Sequence, residues 1–386
     1  MQMRSVTVEG FKRTCKISAV TGEGITGWGG PGIGKTTSPA QAMAELSKET
    51  GKVYDTHVLV ATDYSPADFR GLPKYTGEGD AQRTIYCPED GLVPIPGEFC
   101  RTCQRVHSEQ GLFIVDEFNL CVPEVQNVFR KGSDERHFGG VHIADGWTFL
   151  FLCNRASDRA GVYEIPAPLI SRFSQIGVEA DAEEVARYLL RQDTDAKPGY
   201  NTTAAYLGWK PSHVYTFDSD MEGAYACPRT WEKVSKILRP DDAKTNKDDG
   251  SVDQDASALD AETEDVFVTG LLGDAVAAEF LTFRRLRSQI PDIKGILAGT
   301  EKPECPSEID ASIALASVLA ERSKDRKKME HTLAYAVERM TGEVAGYYGH
   351  HLVRQPVWSN MSPKEKRELF RTEAWRQFSR EHGDVL

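Results

Sequence analysis

A glycine-rich loop that ends in Lys and Thr constrains this chain more than any other feature. Residues 29–36 read Gly-Gly-Pro-Gly-Ile-Gly-Lys-Thr, a full match to the phosphate-binding loop pattern. In such a loop backbone N–H groups surround a phosphate, the lysine reaches the outer phosphate oxygens, and the threonine hydroxyl holds Mg²⁺. A helix should start here, with its positive end toward the phosphates. The predicted nucleotide contacts are Gly29, Gly30, Pro31, Gly32, Ile33, Gly34, Lys35, Thr36 and Thr37.

Two apolar segments downstream end in polar residues. Residues 111–117 read Gly-Leu-Phe-Ile-Val-Asp-Glu, and the apolar residues 147–153 are followed by Asn154. Buried parallel strands have this composition, and their carboxyl ends meet at one edge of a sheet. We therefore predict that Asp116 and Thr36 bind Mg²⁺, that Glu117 polarises the attacking water, and that Asn154 orients it.

Length and charge limit the class of protein. A chain of 386 residues exceeds one ordinary core, so two or three domains are expected. The net charge of −12 opposes nonspecific binding to nucleic acid or to an anionic membrane. The sequence has no apolar run of membrane-spanning length and no secretory signal at residues 1–16, so a cytoplasmic protein is expected. Residues 241–265 are strongly acidic and are predicted to form a solvated excursion.

A group of cysteines has two interpretations. Cys87, Cys100, Cys103 and His107 offer a possible set of tetrahedral zinc ligands. A Cys-x-x-Cys pair also falls on one buried face of a helix, and we predict that residues 97–109 are helical. That prediction favours a packing role, and zinc binding stays open.

The motifs together resemble a known family. Their order, continued by Ser171-Arg172-Phe173 and Pro228-Arg229-Thr230-Trp231, is similar to that of the AAA+ ATPases, and within them of the MoxR branch. The resemblance implies an α/β fold: an αβα P-loop domain with a parallel sheet over residues 1–176, an all-α lid over 177–290, and a helical C-terminal extension over 291–386. It also implies a homo-oligomeric ring, commonly a hexamer, with ATP and Mg²⁺ bound between subunits.

The same resemblance implies roles for individual side chains. Lys35 and Thr36 match the Walker A pair, Asp116 and Glu117 match the Walker B pair, and Asn154 matches sensor 1.

Two arginines complete the resemblance. Arg172 matches the arginine finger that enters a neighbouring subunit's site, and Arg229 matches sensor 2 in the lid. Arg155 and Arg159 compete for the finger role and rank below Arg172.

The implied activity is ATP hydrolysis that remodels or matures a protein partner, as a chaperone does, and in this branch the partner commonly carries a von Willebrand factor A domain. The alternatives are a metal-chelatase motor, a nucleic-acid-directed ring ATPase, against which the acidic charge argues, and a monomeric phosphate-loop kinase. Residues 68–73 resemble the segment that leads to a projecting insertion, and residues 137–146 are predicted to form a hairpin.

Two local features depart from the family pattern. Residues 19–28, before the loop, contain more glycine than a buried central strand usually does. Pro39 comes early in the predicted helix and is expected to kink its first turns.

Most of the chain after Arg172 is predicted to be helical. The predicted helices cover residues 182–190, 228–238, 266–290, 307–321 and 327–341. In the third of these, the predicted core residues are Phe267, Leu271, Leu272, Val276, Phe280 and Phe283.

Overall fold

The chain forms two compact units in a computed structural model. The model describes residues 3–77, 82–87, 91–138, 140–158, 161–192, 199–238, 261–288, 290 and 293–383. The first unit comprises Met1–Ala180 and Asp218–Met221, and the second comprises Asp181–Phe217 and Glu222–Leu386. The further division of the second unit into a lid and a C-terminal extension stays a prediction.

The first unit contains all the described strands and five helices. In chain order the strands are β1 (Ser5–Thr7), β2 (Ile25–Trp28), β3 (Asp55–Val60), β4 (Leu72–Thr76), β5 (Arg83–Cys87), β6 (Phe99–Cys100), β7 (Arg105–Val106), β8 (Gly111–Asp116), β9 (His137–Phe138), β10 (Val141–His142), β11 (Trp147–Cys153) and β12 (Ser174–Glu179). The helices are α1 (Val8–Thr21), α2 (Thr37–Thr50), α3 (Pro66–Arg70), α4 (Pro123–Glu135) and α5 (Ala167–Ile170).

A six-stranded sheet organises this unit. Its strand order is β1-β12-β2-β11-β8-β3, and every neighbouring pair is parallel. Strand β8 is apolar on both faces, and Leu112, Phe113, Ile114 and Val115 have no exposed surface, as a central strand between two helical layers requires. The predicted α/β fold with a parallel sheet is confirmed.

The glycines before the phosphate-binding loop have a packing role. Strand β2 is buried between β12 and β11 although it contains Gly27. A Cβ atom on Gly27 would lie 2.7 Å from Cζ of Phe11 on α1, so only glycine lets that helix approach the strand. The glycine content that looked unsuited to a central strand is therefore a requirement of this one.

Pro39 does not interrupt the helix that follows the loop. Helix α2 is continuous from Thr37 to Thr50, and Pro39 is its third residue. Backbone N–H groups in the first turn have no partner inside a helix, so proline removes no hydrogen bond there. The kink in the first turns stays a prediction.

Three small hairpins lie outside the main sheet. Antiparallel pairs join β4 to β5, β6 to β7, and β9 to β10, and the last confirms the hairpin predicted at residues 137–146. Residues 97–109 were predicted to be helical, and this is wrong because β6 and β7 occupy them. The chain turns back between these strands at Gln104, whose φ of 54° is incompatible with a continuing helix.

The described part of the second unit is helical. Its helices are α6 (Ala182–Gln192), α7 (Gly199–Trp209), α8 (Pro228–Ile237), α9 (Ala261–Leu272), α10 (Asp274–Ser288), α11 (Lys294–Ala298), α12 (Ile309–Arg322), α13 (Arg326–Arg339), α14 (Gly342–Arg354), α15 (Pro356–Asn360), α16 (Pro363–Phe370) and α17 (Glu373–His382). The predicted helical content is confirmed. Among the described residues, no helix is both long enough and apolar enough to cross a membrane.

Two predictions for this unit need correction. The predicted helix over residues 266–290 is two helices, because Gly273 adopts a φ of 80° between α9 and α10. Leu272, Val276, Phe280 and Phe283 are buried as predicted, whereas Phe267 is 50% exposed. The acidic segment 241–265 lies outside the described residues up to position 260, and its last five residues belong to α9 rather than to an excursion.

Candidate nucleotide-binding site

The phosphate-binding loop connects β2 to α2 in the first unit. Gly32 and Gly34 have φ angles of 77° and 103°, which residues with side chains rarely adopt. The loop passes directly into the helix, where the Ser38 N–H donates to the Gly34 carbonyl oxygen at 3.0 Å. The helix N-terminus therefore faces the loop, which is a favourable environment for an anion.

Lys35 lies inside this loop and is 8% exposed. Its Nζ donates hydrogen bonds to the carbonyl oxygens of Gly29 and Gly30 and to Asn154 Oδ1, the last at 3.1 Å. Burial lowers the pKa of Lys35 to about 8, although the charge of Asp116 opposes this shift. A phosphate here would supply further negative charge and would favour the protonated lysine.

Thr36 and Asp116 form the second part of the site. The Thr36 hydroxyl donates to Asp116 Oδ2 at 2.6 Å, and the Glu117 N–H donates to Asp116 Oδ1 at 2.8 Å. A hydroxyl and a carboxylate placed side by side are hard oxygen donors of the kind that Mg²⁺ selects. The donor set fits the predicted ion, and Thr36 and Asp116 are the residues that would hold it.

Glu117 extends from the end of β8 and is exposed. Its backbone has a φ of 54°, and Thr62, just after the adjacent strand β3, donates to Glu117 Oε2 at 3.1 Å. The sequence prediction missed Thr62. The available signal was the short apolar run of residues 57–61 just before it, because neighbouring strands of a parallel sheet end on the same edge.

Asn154 follows β11, between the ends of β2 and β8. Besides its contact with Lys35, it is fixed through its backbone by Asn119, whose Nδ2 donates to the Asn154 carbonyl oxygen at 2.8 Å and whose Oδ1 accepts from the Asn154 N–H at 3.0 Å. Asn119 is only 1% exposed, and it was also missed by sequence reasoning. No motif marked it, since its partner is 35 positions away.

The structure describes three of the four arginines that the sequence singled out. Arg172 lies just after α5, and its Nε is 2.7 Å from Asp134 Oδ1. Arg155 donates to the Val178 carbonyl oxygen at 3.0 Å, and Arg159 lies outside the described residues. Arg229 is exposed near the start of α8 in the second unit.

Three of the four possible zinc ligands lie together. Cys100, Cys103 and His107 cluster beside β3, whereas Cys87 is exposed on β5. The fourth member of the cluster is His57, which sequence reasoning did not include.

Comparisons with known proteins give only distant likenesses. No model of a known protein family matches the sequence, and no curated protein sequence matches it. The fold is similar to a candidate ATPase from Cytophaga hutchinsonii, with 16% identity over 59% of this chain and 72% of that one and a TM-score of 0.30. NtrX from Brucella abortus in complex with ATP is 14% identical over 75% of this chain and 65% of its own, just under two thirds, with a TM-score of 0.35.

A third solved structure is similar over nearly the whole length. It is a DNA polymerase III gamma subunit-related protein from Thermotoga maritima, with 12% identity over 98% of both chains and a TM-score of 0.24. All three likenesses are distant.

Proposed function

We propose that this chain is a MoxR-like AAA+ ATPase, which hydrolyses ATP at the subunit interfaces of a homo-oligomeric ring and uses the energy to remodel a protein partner. The observation that carries this proposal is the pair of contacts from Lys35 to Asn154 and from Thr36 to Asp116. Through these contacts the phosphate-binding loop, which follows β2, meets the carboxyl ends of β8 and β11.

Different side chains of this chain have different roles in phosphoryl transfer from ATP to water. Lys35 and the loop N–H groups bind the phosphates, and Thr36 and Asp116 hold Mg²⁺, which supplies positive charge at the phosphate oxygens. Glu117 accepts a hydrogen bond from the attacking water and orients it. Thr62 and Asn119 are positioning residues, since each acts through a neighbour.

Arg172 is proposed as the residue that acts on a neighbouring subunit. Its side chain is 37% exposed in its contact with Asp134. An ion pair this exposed contributes only about 0–1 kcal/mol, so Arg172 can exchange Asp134 for a phosphate at small cost. Arg172 also donates to the Pro168 carbonyl oxygen, as Arg155 does to that of Val178, so the ranking of Arg172 over Arg155 depends on the resemblance.

The remaining parts of the proposal depend on the resemblance alone. They are a hexameric ring, a sensor role for Arg229, and a protein partner with a von Willebrand factor A domain.

Two variants test the ATPase. Lys35→Ala is expected to lose ATP binding, and Glu117→Gln is expected to bind ATP with normal affinity while losing turnover. Isothermal titration calorimetry and a phosphate-release assay measure the two properties separately. Normal hydrolysis by Glu117→Gln would remove Glu117 as the residue that orients water.

Light scattering on Glu117→Gln, with and without ATP and Mg²⁺, tests the ring. Trapped ATP should favour the assembled state by mass action. A mixture of Arg172→Ala and Lys35→Ala chains should then recover part of the activity, because some interfaces combine an intact loop with an intact arginine. A persistent monomer that still binds ATP would overturn the ring and favour the kinase alternative.

A further inference from the structure

Four side chains converge on the outer strand of the sheet, away from the phosphate-binding loop. They are His57 on β3, Cys100 at the end of β6, Cys103 in the turn after it, and His107 just after β7. One atom from each, a ring nitrogen or a sulfur, lies within 4.8 Å of all the others. His57, Cys100 and His107 are at most 4% exposed. The cluster therefore joins an edge strand to a hairpin that follows it in the chain.

Hydrogen bonds fix which nitrogen of each imidazole faces inward. His57 Nε2 is 3.2 Å from the Leu92 carbonyl oxygen, and His107 Nδ1 is 2.9 Å from Asp55 Oδ2. Both oxygens are acceptors, so these ring nitrogens carry the hydrogens. The lone pairs of His57 Nδ1 and His107 Nε2 then point inward, with the two atoms 3.2 Å apart. Two such lone pairs repel each other unless a positive charge lies beside both.

The surroundings of His107 match those of a metal-binding histidine. Asp55 accepts from His107 with one carboxylate oxygen, and its other oxygen is 2.6 Å from an Arg105 nitrogen and accepts from the Thr56 N–H at 2.7 Å. A histidine that binds a metal usually donates its second N–H to a carboxylate that is itself fixed in this way. The Cys103 N–H also donates to Cys100 Sγ at 3.4 Å.

The spacing of the four atoms suits one tetrahedral ion. Zinc bonds of about 2.0 Å to nitrogen and about 2.3 Å to sulfur give edges of about 3.3 Å between two nitrogens and about 3.6 Å between nitrogen and sulfur. The observed distances from His57 Nδ1 are 3.2 Å to His107 Nε2, 3.3 Å to Cys103 Sγ and 3.8 Å to Cys100 Sγ. A two-iron cluster with the same ligands would place histidines and cysteines on different irons, which these short distances exclude.

We propose that His57 Nδ1, Cys100 Sγ, Cys103 Sγ and His107 Nε2 bind a structural Zn²⁺ ion. All four ligands come from the protein and leave no position for substrate, which is the arrangement of structural rather than catalytic zinc. The ion fastens the β6–β7 hairpin to β3. A small cavity lined by Gly91, Glu98 and Phe99, among others, reaches Cys100 and His107 and provides an entry path.

Metal analysis of the full-length chain tests the site. Protein expressed in zinc-supplemented medium is purified without chelator, and its metal content is measured by inductively coupled plasma mass spectrometry. We expect one zinc per chain in the wild type, near-complete loss in Cys103→Ser and in His57→Ala, and an unchanged content in the matched control Cys87→Ser. Equal loss in Cys87→Ser and Cys103→Ser would overturn the ligand set.

Two measurements on the wild type do not require a variant to fold. A mercurial reagent that captures thiolates should release one zinc per chain, as followed with a colorimetric zinc indicator. Replacement by Co²⁺ should give the intense visible bands of a tetrahedral ion and a charge-transfer band from thiolate ligands. Absence of zinc together with failure to bind Co²⁺, or a Cys100–Cys103 disulfide found by mass spectrometry, would overturn the proposal.

Discussion

The first unit contains two clusters of polar side chains that differ in how they are built. The nucleotide-binding cluster of Lys35, Thr36, Asp116 and Asn154 lies at the carboxyl ends of central strands, and the neighbouring Glu117 is exposed. The cysteine-histidine cluster lies toward the start of the edge strand β3 and is largely closed to solvent. An open cluster can exchange ligands during a reaction, whereas a closed one holds a single ion. The open cluster suits the proposed reaction, and the closed cluster suits the proposed structural ion.

The largest effect is expected for Glu117→Gln. Loss of the carboxylate that orients water should lower kcat by about 10²–10⁴-fold, while the Kd for ATP changes little. Steady-state kinetics and calorimetry on the same preparation measure both. The zinc content of this variant should not change. A loss of zinc would contradict the separation of the nucleotide-binding cluster from the cysteine-histidine cluster.

Lys35→Ala should weaken ATP binding by about 100-fold or more, since charge-assisted contacts to phosphate contribute about 3 kcal/mol. Calorimetric titration measures the affinity. The thermal stability of the variant serves as the control and should not fall, because the ammonium of Lys35 is buried and its pKa is already lowered. A Kd within threefold of the wild type would contradict the assigned role.

The main effect of zinc removal should be on stability. A site that is occupied at a free zinc concentration 100-fold above its Kd adds about 2.7 kcal/mol to the free energy of unfolding. For a unit of this size that corresponds to roughly 5–11 °C in Tm. Calorimetry with and without a chelator measures the shift, and Cys103→Ser should lose it while Cys87→Ser keeps it.

Asn119→Ala should lower turnover by about tenfold. The change removes both hydrogen bonds to Asn154, at a cost of about 1–2 kcal/mol, and loosens the side chain that contacts Lys35. Turnover at saturating ATP is the measurement, and Asn119→Asp, whose carboxylate would face the Asn154 carbonyl oxygen in a buried position, should lose at least as much. Equal kcat values for the wild type and Asn119→Ala would show that the two hydrogen bonds between Asn119 and Asn154 do not contribute to turnover.

The smallest effect is expected for Asp134→Ala. Release of Arg172 from an exposed ion pair should raise the activity of an assembled ring by less than about fivefold, because such pairs contribute at most about 1 kcal/mol. The ATPase rate as a function of protein concentration measures it. A fall in activity to the level of Arg172→Ala would mean that Asp134 positions the arginine rather than restraining it.

The two clusters also differ in how far the sequence predicts them. Lys35, Thr36, Asp116 and Asn154 were predicted because each belongs to a loop or follows a long apolar strand, and parallel strands bring their ends together. His57 was missed because it lies on a strand 43 positions before Cys100, and no local pattern joins them. The three-residue spacing of Cys100 and Cys103 fits a helix face as well as a turn, so residues 97–109 were assigned the wrong structure.

Thr62 and Asn119 show the same limit within the nucleotide-binding cluster. Each makes a contact between elements that only the strand order brings together. In the second unit, the helical periodicity identified Leu272 and Phe283 correctly and failed at Phe267, because the break at Gly273 changes which face of α9 is covered. Periodicity predicts a buried face only as far as a helix is continuous.

Strand β3 links the two clusters mechanically. It pairs with β8 on one side only, since it is the last strand of the sheet. His57 lies near its beginning, about 10 Å along the strand from its last residue, Val60, and Thr62, which contacts Glu117, lies in the short 3₁₀ helix after the strand. An ion held at His57 would attach β3 on the side opposite to β8. Without that attachment, a slip of β3 along its axis would shift the Thr62 hydroxyl away from Glu117 by the same distance.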